Sequence, residues 1–180
     1  MSGAVKKVLD FGIGVSYSAL NNLPLYVIDT DTAEITKFNT LYDDGTLFKF
    51  FGNLNFNIGK NVKLWLSGGL FNYNMKHEDN AWQLPSFEVS TGLSCVLAKK
   101  LNIRFQAYAA GDRFQRELLP TLEAKRLAPY LDLNLLADYR YKDNISFFLQ
   151  VNNFTNGRYQ QWYNYKVFGL NGLLGVTFSL

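Results

Sequence analysis

The feature that most constrains this chain is an alternation of apolar and polar residues with a period of two. Between residues 8 and 19, Leu9, Phe11, Ile13, Val15, Tyr17 and Ala19 share one parity, while Asp10, Gly12, Gly14, Ser16 and Ser18 hold most of the other. Successive side chains of an extended strand point to opposite faces, whereas a helix repeats every ~3.6 residues, so this spacing specifies strands. The pattern returns over 46–58, 62–70, 87–97, 101–110, 131–141, 145–152 and 171–180. Phe51, Trp65, Leu136 and Phe148 break it by sitting on the polar parity. The expected class is all-β and antiparallel.

The connections alternate as well. Tight polar turns at Gly59-Lys60-Asn61, Lys99-Lys100 and Lys142-Asp143-Asn144 are interleaved with long connections over 21–45, 76–86, 114–129 and 154–166. Short turns at one end and long loops at the other describe an up-and-down barrel of about eight strands. Eight strands place both termini at the short-turn end. No linker or low-complexity segment divides the chain, so residues 1–180 are expected to form one domain.

Alternation alone also fits a soluble lipocalin-like barrel with its apolar faces turned inward around a hydrophobic ligand. Strand length separates the two readings. Strands in soluble proteins run ~5–6 residues. A strand of ~11 residues, tilted ~40°, rises about 28 Å, close to the hydrocarbon thickness of a bilayer. The polar parity is Ser, Asn, Gly, Asp and Thr rather than a dense Lys/Glu surface, and only 18% of residues are charged, against roughly 25% in soluble proteins. Small polar side chains suit the interior of a narrow barrel. There Asp10, Lys49, Glu88, Arg104, Asp132, Asp138 and Arg140 are expected to form a polar network in the lumen, opposite charges pairing. The apolar faces carry almost no charge, as lipid requires. Tyr17, Tyr73, Tyr130, Tyr139 and Tyr141 lie near strand ends and are expected at the membrane interfaces. A mean hydropathy of −0.09 is what alternating faces average to. The net charge of +3 is too small to suggest nucleic acid as a partner.

The last fifty residues add a resemblance. Val151-Asn152-Asn153-Phe154-Thr155-Asn156-Gly157-Arg158-Tyr159, then Trp162-Tyr163-Asn164-Tyr165, Gly169 and the run from Gly172, resemble the end of the barrel of a TonB-dependent receptor. Asn80-Ala81-Trp82-Gln83-Leu84-Pro85 resembles receptor-like barrels of the Bacteroidetes type. The resemblance implies a bacterial outer-membrane location and a structural or ligand-uptake role without catalysis. The partners it implies are the lipid bilayer, the barrel-assembly machinery, and the plug or further strands of a parent receptor. The first ten residues lack the apolar region and cleavage site of a secretory signal. A mature chain or a piece of a longer one is therefore expected, closing on itself or pairing with missing strands. Gly175, Phe178 and Leu180 resemble the signal read by the assembly machinery, with Leu173 and the terminal Leu as departures.

Chemistry-bearing residues are sparse. The single histidine, His77, lies near Asp79 and Ser86, the residue types of a rim-catalytic barrel enzyme, but no second motif supports catalysis and a solvated loop histidine is the reading favoured. One His and one Cys exclude a His/Cys zinc site, and no cofactor motif is present. Asp29, Asp31, Asp43 and Asp44 are candidate cation ligands or plain loop acids. Cys95, on an apolar parity, reads as a small lipid-facing residue. Trp162, Tyr163 and Tyr165 are candidates for ligand contact at the rim or for packing within the last loop.

Overall fold

A computed structural model describes residues 2–5, 8–28, 38–116 and 124–179. In chain order the strands are β1 (Ser2–Val5), β2 (Leu9–Ile28), β3 (Phe38–Ile58), β4 (Val62–Met75), β5 (Phe87–Leu97), β6 (Leu101–Ala110), β7 (Arg113–Arg116), β8 (Ala124–Leu127), β9 (Tyr130–Lys142), β10 (Ile145–Asn152), β11 (Gln160–Trp162), β12 (Tyr165–Lys166) and β13 (Asn171–Phe178). Nine of them form one sheet in the order β1-β2-β3-β4-β5-β6-β9-β10-β13, antiparallel throughout. The eight strands read from the alternation are all present, and β1 is an addition, a four-residue edge strand paired with the start of β2. Among the described residues, the sheet ends at β1 and β13 with no pairing between them. A barrel closed edge to edge by its own first and last strands is thus not what the pairing shows.

Register decides which residues share a face. Leu9, Phe56, Leu64, Leu93, Phe105, Leu135 and Val151 are successive cross-strand partners in one row spanning seven strands. This face is exposed: Tyr17 is 71% accessible, Val176 62% and Leu174 76%, with Val15, Phe50, Leu70, Leu131 and Phe147 also open. Soluble monomers rarely expose contiguous apolar patches beyond a few hundred Å², and here open apolar side chains run across the sheet from β2 to β13. The soluble alternative needs these side chains in a dry interior, and the sheet does not provide one.

The opposite face explains the four exceptions to the alternation, at least for its rings. Phe51 lies directly across from Gly14, Trp65 from Gly92, and Phe148 from Gly175. In each pair the ring covers the glycine so closely that a Cβ there would collide with it. An aromatic covering a cross-strand glycine pins register and fills the face without adding a polar group. Leu136, flanked by Arg104 and Gln150, has no such partner.

The long connection expected over 21–45 is largely strand. β2 and β3 continue pairing to Ile28 and Phe38, well past the other hairpins. A bulge between Leu20 and Leu23 puts one extra residue into β2, with Asn22 in the left-handed region at φ 53°. One added residue reverses which side chains face inward. Below the bulge the odd residues of β2 share the exposed apolar face. Above it Leu25 and Val27 are buried and Tyr26 points out. Leu25 and Val27 form a small core with Trp82, which is 4% exposed, and Leu23, Leu41, Met75, Leu84 and Phe114 pack around them. Two further hairpins, β7–β8 and β11–β12, lie within the other long connections.

Candidate functional site

The loop end of the polar face carries a connected cluster. Glu88, Ala110 and Tyr130 are neighbours across β5, β6 and β9, and Ser90, Tyr108 and Asp132 form the next row. The Tyr108 hydroxyl donates to Glu88 at 2.9 Å. The Tyr159 hydroxyl, from the loop after β10, donates to Asp132 at 2.6 Å. The Tyr159 ring stacks on Tyr130 with centroids 4.0 Å apart and planes within 4°. Arg113 lies over the other part of this stack, 4.8 Å from the Tyr130 centroid, and donates to the carbonyls of Gln161 and Ala128. Burial raises the pKa of Tyr159, and its bond to Asp132 raises it further, so the phenol stays a donor.

Asn153 holds the loop that delivers Tyr159. It takes φ 47°, a left-handed turn that Asn tolerates, and is buried. Its side-chain amide donates to the carbonyls of Gly157 and Phe168 and accepts from the Gly157 N–H. The motif from Val151 to Tyr159 therefore has a physical reading: a strand end, a buried Asn cap, and a ring placed on the polar face.

All seven residues expected in the lumen share the polar face by register. Their expected mutual pairing is not what the side chains do. Glu88 and Asp132 bond tyrosines, and the Lys49 ammonium sits 5.2 Å over Phe51 and 5.3 Å over Phe71. Among the described residues, no ion pair joins Asp10, Arg104, Asp138 or Arg140 to another of the seven. Rings intervene because this face is built of aromatics and small residues, leaving the charges separated along it.

The five tyrosines expected at the membrane interfaces divide. Tyr17, Tyr139 and Tyr141 are exposed on the apolar face. Tyr73 and Tyr130 lie on the opposite face, partnered across the sheet with Leu47 and Ala110. Proximity to a strand end does not fix the face; parity does, and these two have the polar parity. Gly175 underlies Phe148, Phe178 lies on the apolar face opposite Ile145, and Leu180 is outside the described residues.

His77 is held by Asp43 rather than by Asp79, with Nδ1 2.7 Å from Asp43 Oδ1. Among the described residues no contact links His77 to Asp79 or to Ser86. Asp43, 3% exposed, also accepts the N–H groups of His77, Glu78 and Asp44. Desolvation pushes its pKa up, but these bonds outweigh it and hold the carboxyl well below the usual range. Asp44 accepts the Asn22 N–H and lies 3.8 Å from Lys76. These carboxylates thus tie the β2–β3 bulge to the 76–86 segment, and among the described residues no group of three metal-ligating side chains forms. Asp29 and Asp31 fall outside the described residues. Cys95 is half-buried on the apolar face. Trp162 packs edge-on to Tyr26 and Phe38, Tyr165 lies against Phe38, and Tyr163 accepts from Lys125. The rings of the last loop therefore pack on the tip of β2–β3 and on β8, as well as within the loop.

Sequence reading missed Arg113, Tyr108 and Tyr159 as a cluster. Tyr108 and Tyr159 are fifty-one positions apart, and only the pairing of β6 with β9 brings them together. Arg113 gave no signal, being one cation in a connection with several.

Among solved structures, the siderophore receptor PiuA from Acinetobacter baumannii superposes with a TM-score of 0.71 at 13% identity, over 97% of this chain and 26% of that one. The copper transporter OprC gives 0.74 at 14% identity, over 99% and 30%. The pyoverdine outer-membrane receptor FpvA from Pseudomonas aeruginosa, bound to pyoverdine, gives 0.74 at 13%, over 98% and 28%. At these identities the likeness establishes the fold, and the chain spans under a third of each of these structures. No protein-family model matches the chain, and no curated protein does.

Proposed function

We propose that this chain is a segment of an outer-membrane β-barrel of the TonB-dependent receptor type, in the Bacteroidetes-like form its Trp82 motif suggests, serving ligand uptake without catalysis. The observation that carries the reading is the inversion of the sheet, whose apolar face lies open across strands long enough to span a bilayer. Lipid covers that face in this reading, and the polar face lines the lumen. Residues 1–180 act as one unit. The free edges of β1 and β13 expose unpaired backbone groups, which hydrocarbon does not tolerate. In the receptor they pair with further strands, consistent with the fraction of each solved receptor that the chain covers, and in the isolated chain in detergent they pair with each other. The final strand, with Gly175, Phe178 and Leu180, is offered to the barrel-assembly machinery.

The test is solvent dependence. The purified chain is expected to stay monodisperse only in detergent or lipid, and to run faster unheated than boiled in a denaturing gel. A sharp monomer peak at millimolar concentration without detergent contradicts the proposal.

A further inference from the structure

One cavity at the loop end has a charge composition unlike the rest of the molecule. It holds about 340 Å³ and lies between the β7–β8 hairpin and the loop from Arg158 to Asn164. Arg113, Lys125, Arg126 and Arg158 contribute to its wall, together with Tyr159 and Tyr163, and among the described residues no Asp or Glu does. Arg126 is matched by a carboxylate, in a bidentate pair with Asp112 at 2.8 Å on both arms. Arg113 is 3% exposed, bonds backbone carbonyls only, and keeps its Nε buried without a hydrogen-bond partner. Arg158 is exposed and, among the described residues, pairs with no carboxylate. Asp132 accepts the hydroxyl of Tyr159, one of the wall residues. A concave wall with guanidinium groups left over after internal pairing is an anion site in waiting, because charge-assisted bonds to oxyanions satisfy such groups best.

We propose that this cavity binds a multiply charged oxyanion group, phosphate or polycarboxylate, with Arg113 and Arg158 as its principal cations. Tyr163 and Tyr159, the latter stacked on Tyr130, set its aromatic walls. Two sources carry such a group: a dissolved ligand and a lipid headgroup. The site is built onto Tyr130 and Asp132, on the face opposite the apolar one, which points to the dissolved ligand. This choice rests on the reading of that face as the lumen.

The experiment uses the full chain folded in detergent micelles and pyrophosphate as the probe, followed by titration calorimetry at low ionic strength. Saturable binding is expected, weakening as salt rises. Arg158→Gln is expected to weaken it at least tenfold; this exposed position lies outside the packed stack, so folding is retained. Arg113→Gln is expected to do the same, and Lys142→Gln, at the short-turn end, to leave binding unchanged. An absence of saturable binding in protein that inserts into vesicles and shows the heat-dependent gel shift overturns this inference and leaves the barrel reading standing. Failure to insert overturns both. Equal binding by wild type and Arg158→Gln also overturns it. So does attachment to lipopolysaccharide-containing vesicles that pyrophosphate does not compete, which assigns the cations to a lipid.

Discussion

The sheet and the cap above it obey opposite rules. Along β9 and β10, Leu131, Tyr139, Phe147 and Leu149 stand open while the polar parity is tucked against neighbours. Beyond the bulge in β2, Leu25, Val27 and Trp82 are packed away as in any water-soluble protein, and Tyr26 and Tyr42 take the outside. The same strand does both, and the bulge at Asn22 is where it changes over. One chain can therefore be folded for two solvents, with a single inserted residue as the boundary. Hydrophobic residues do not seek the interior as such; they seek whatever is not water.

Emptying the core of the cap gives the largest effect. Leu25→Ala removes the fully buried side chain that packs with Val27 and Trp82, at a cost to the cap of about 2–5 kcal/mol. Amide exchange over 23–28 is expected to become fast while exchange in β9 and β10 stays slow. If both regions lose protection together, the cap and the sheet are not separate in the way described.

A charge on the apolar face comes next. Leu149→Arg is expected to cost roughly 2–4 kcal/mol of folding into lipid, as for any Arg near the midplane. The same change at Gln150, one residue along and on the other face, is expected to cost far less. Denaturant titration in vesicles compares them, and equal costs would erase the distinction between faces.

The third effect is confined to the cap and to acid. Asp43 has a pKa lowered in the fold by four hydrogen-bond donors. A depressed carboxylate pKa adds stability that is present above the unfolded value, ~3.9, and is lost as pH falls through the folded value. Protection of the His77 and Glu78 amides should hold down to the ordinary aspartate range and fail only below it. Asp43→Asn should lower that protection at every pH. A loss centred near neutrality would show that Asp43 is not the group responsible.

The smallest effect is at the short-turn end. Ala98 and Lys99 both adopt positive φ, 48° and 59°, in the tight turn between β5 and β6. Such turns favour Gly or Asn, and Ala98→Gly should stabilise the hairpin by about 1 kcal/mol. A neutral or destabilising result would mean that the turn is set by the strands alone.

The sheet was legible because alternation is local: Leu9 to Ala19 announces its own face without reference to any partner. The cap was not, because its signal is discontinuous. Leu23, Leu25 and Val27 keep the odd parity of the strand below, but Asn21-Asn22 and Pro24 read as loop, and no pattern in one strand reports a bulge opposite another. The seven charged residues expected in a lumen share the polar parity of the register, but parity says nothing of their partners. Opposite charges suggested ion pairs; register instead set Glu88 beside Tyr108 and brought Tyr159 over Asp132. Tyr73 and Tyr130 show the same limit, since their composition suited an interface and their parity did not. Gly14, Gly92 and Gly175 are the counterexample. Each sits opposite a ring that had looked out of place, and a reader with the register in hand recovers all three pairs.

The central claim is about what touches the apolar face, and a nitroxide scan along β10 tests it most directly. Labels from Ile145 to Asn152, in protein reconstituted into lipid, are compared for collision with oxygen, which concentrates in hydrocarbon, and with a water-soluble nickel chelate. The account predicts a two-residue oscillation, with oxygen collisions high at Phe147, Leu149 and Val151 and low at Ser146, Phe148 and Gln150. Labels at Phe147, Leu149 and Val151 shielded from both reagents, in a dry protein interior, would contradict it.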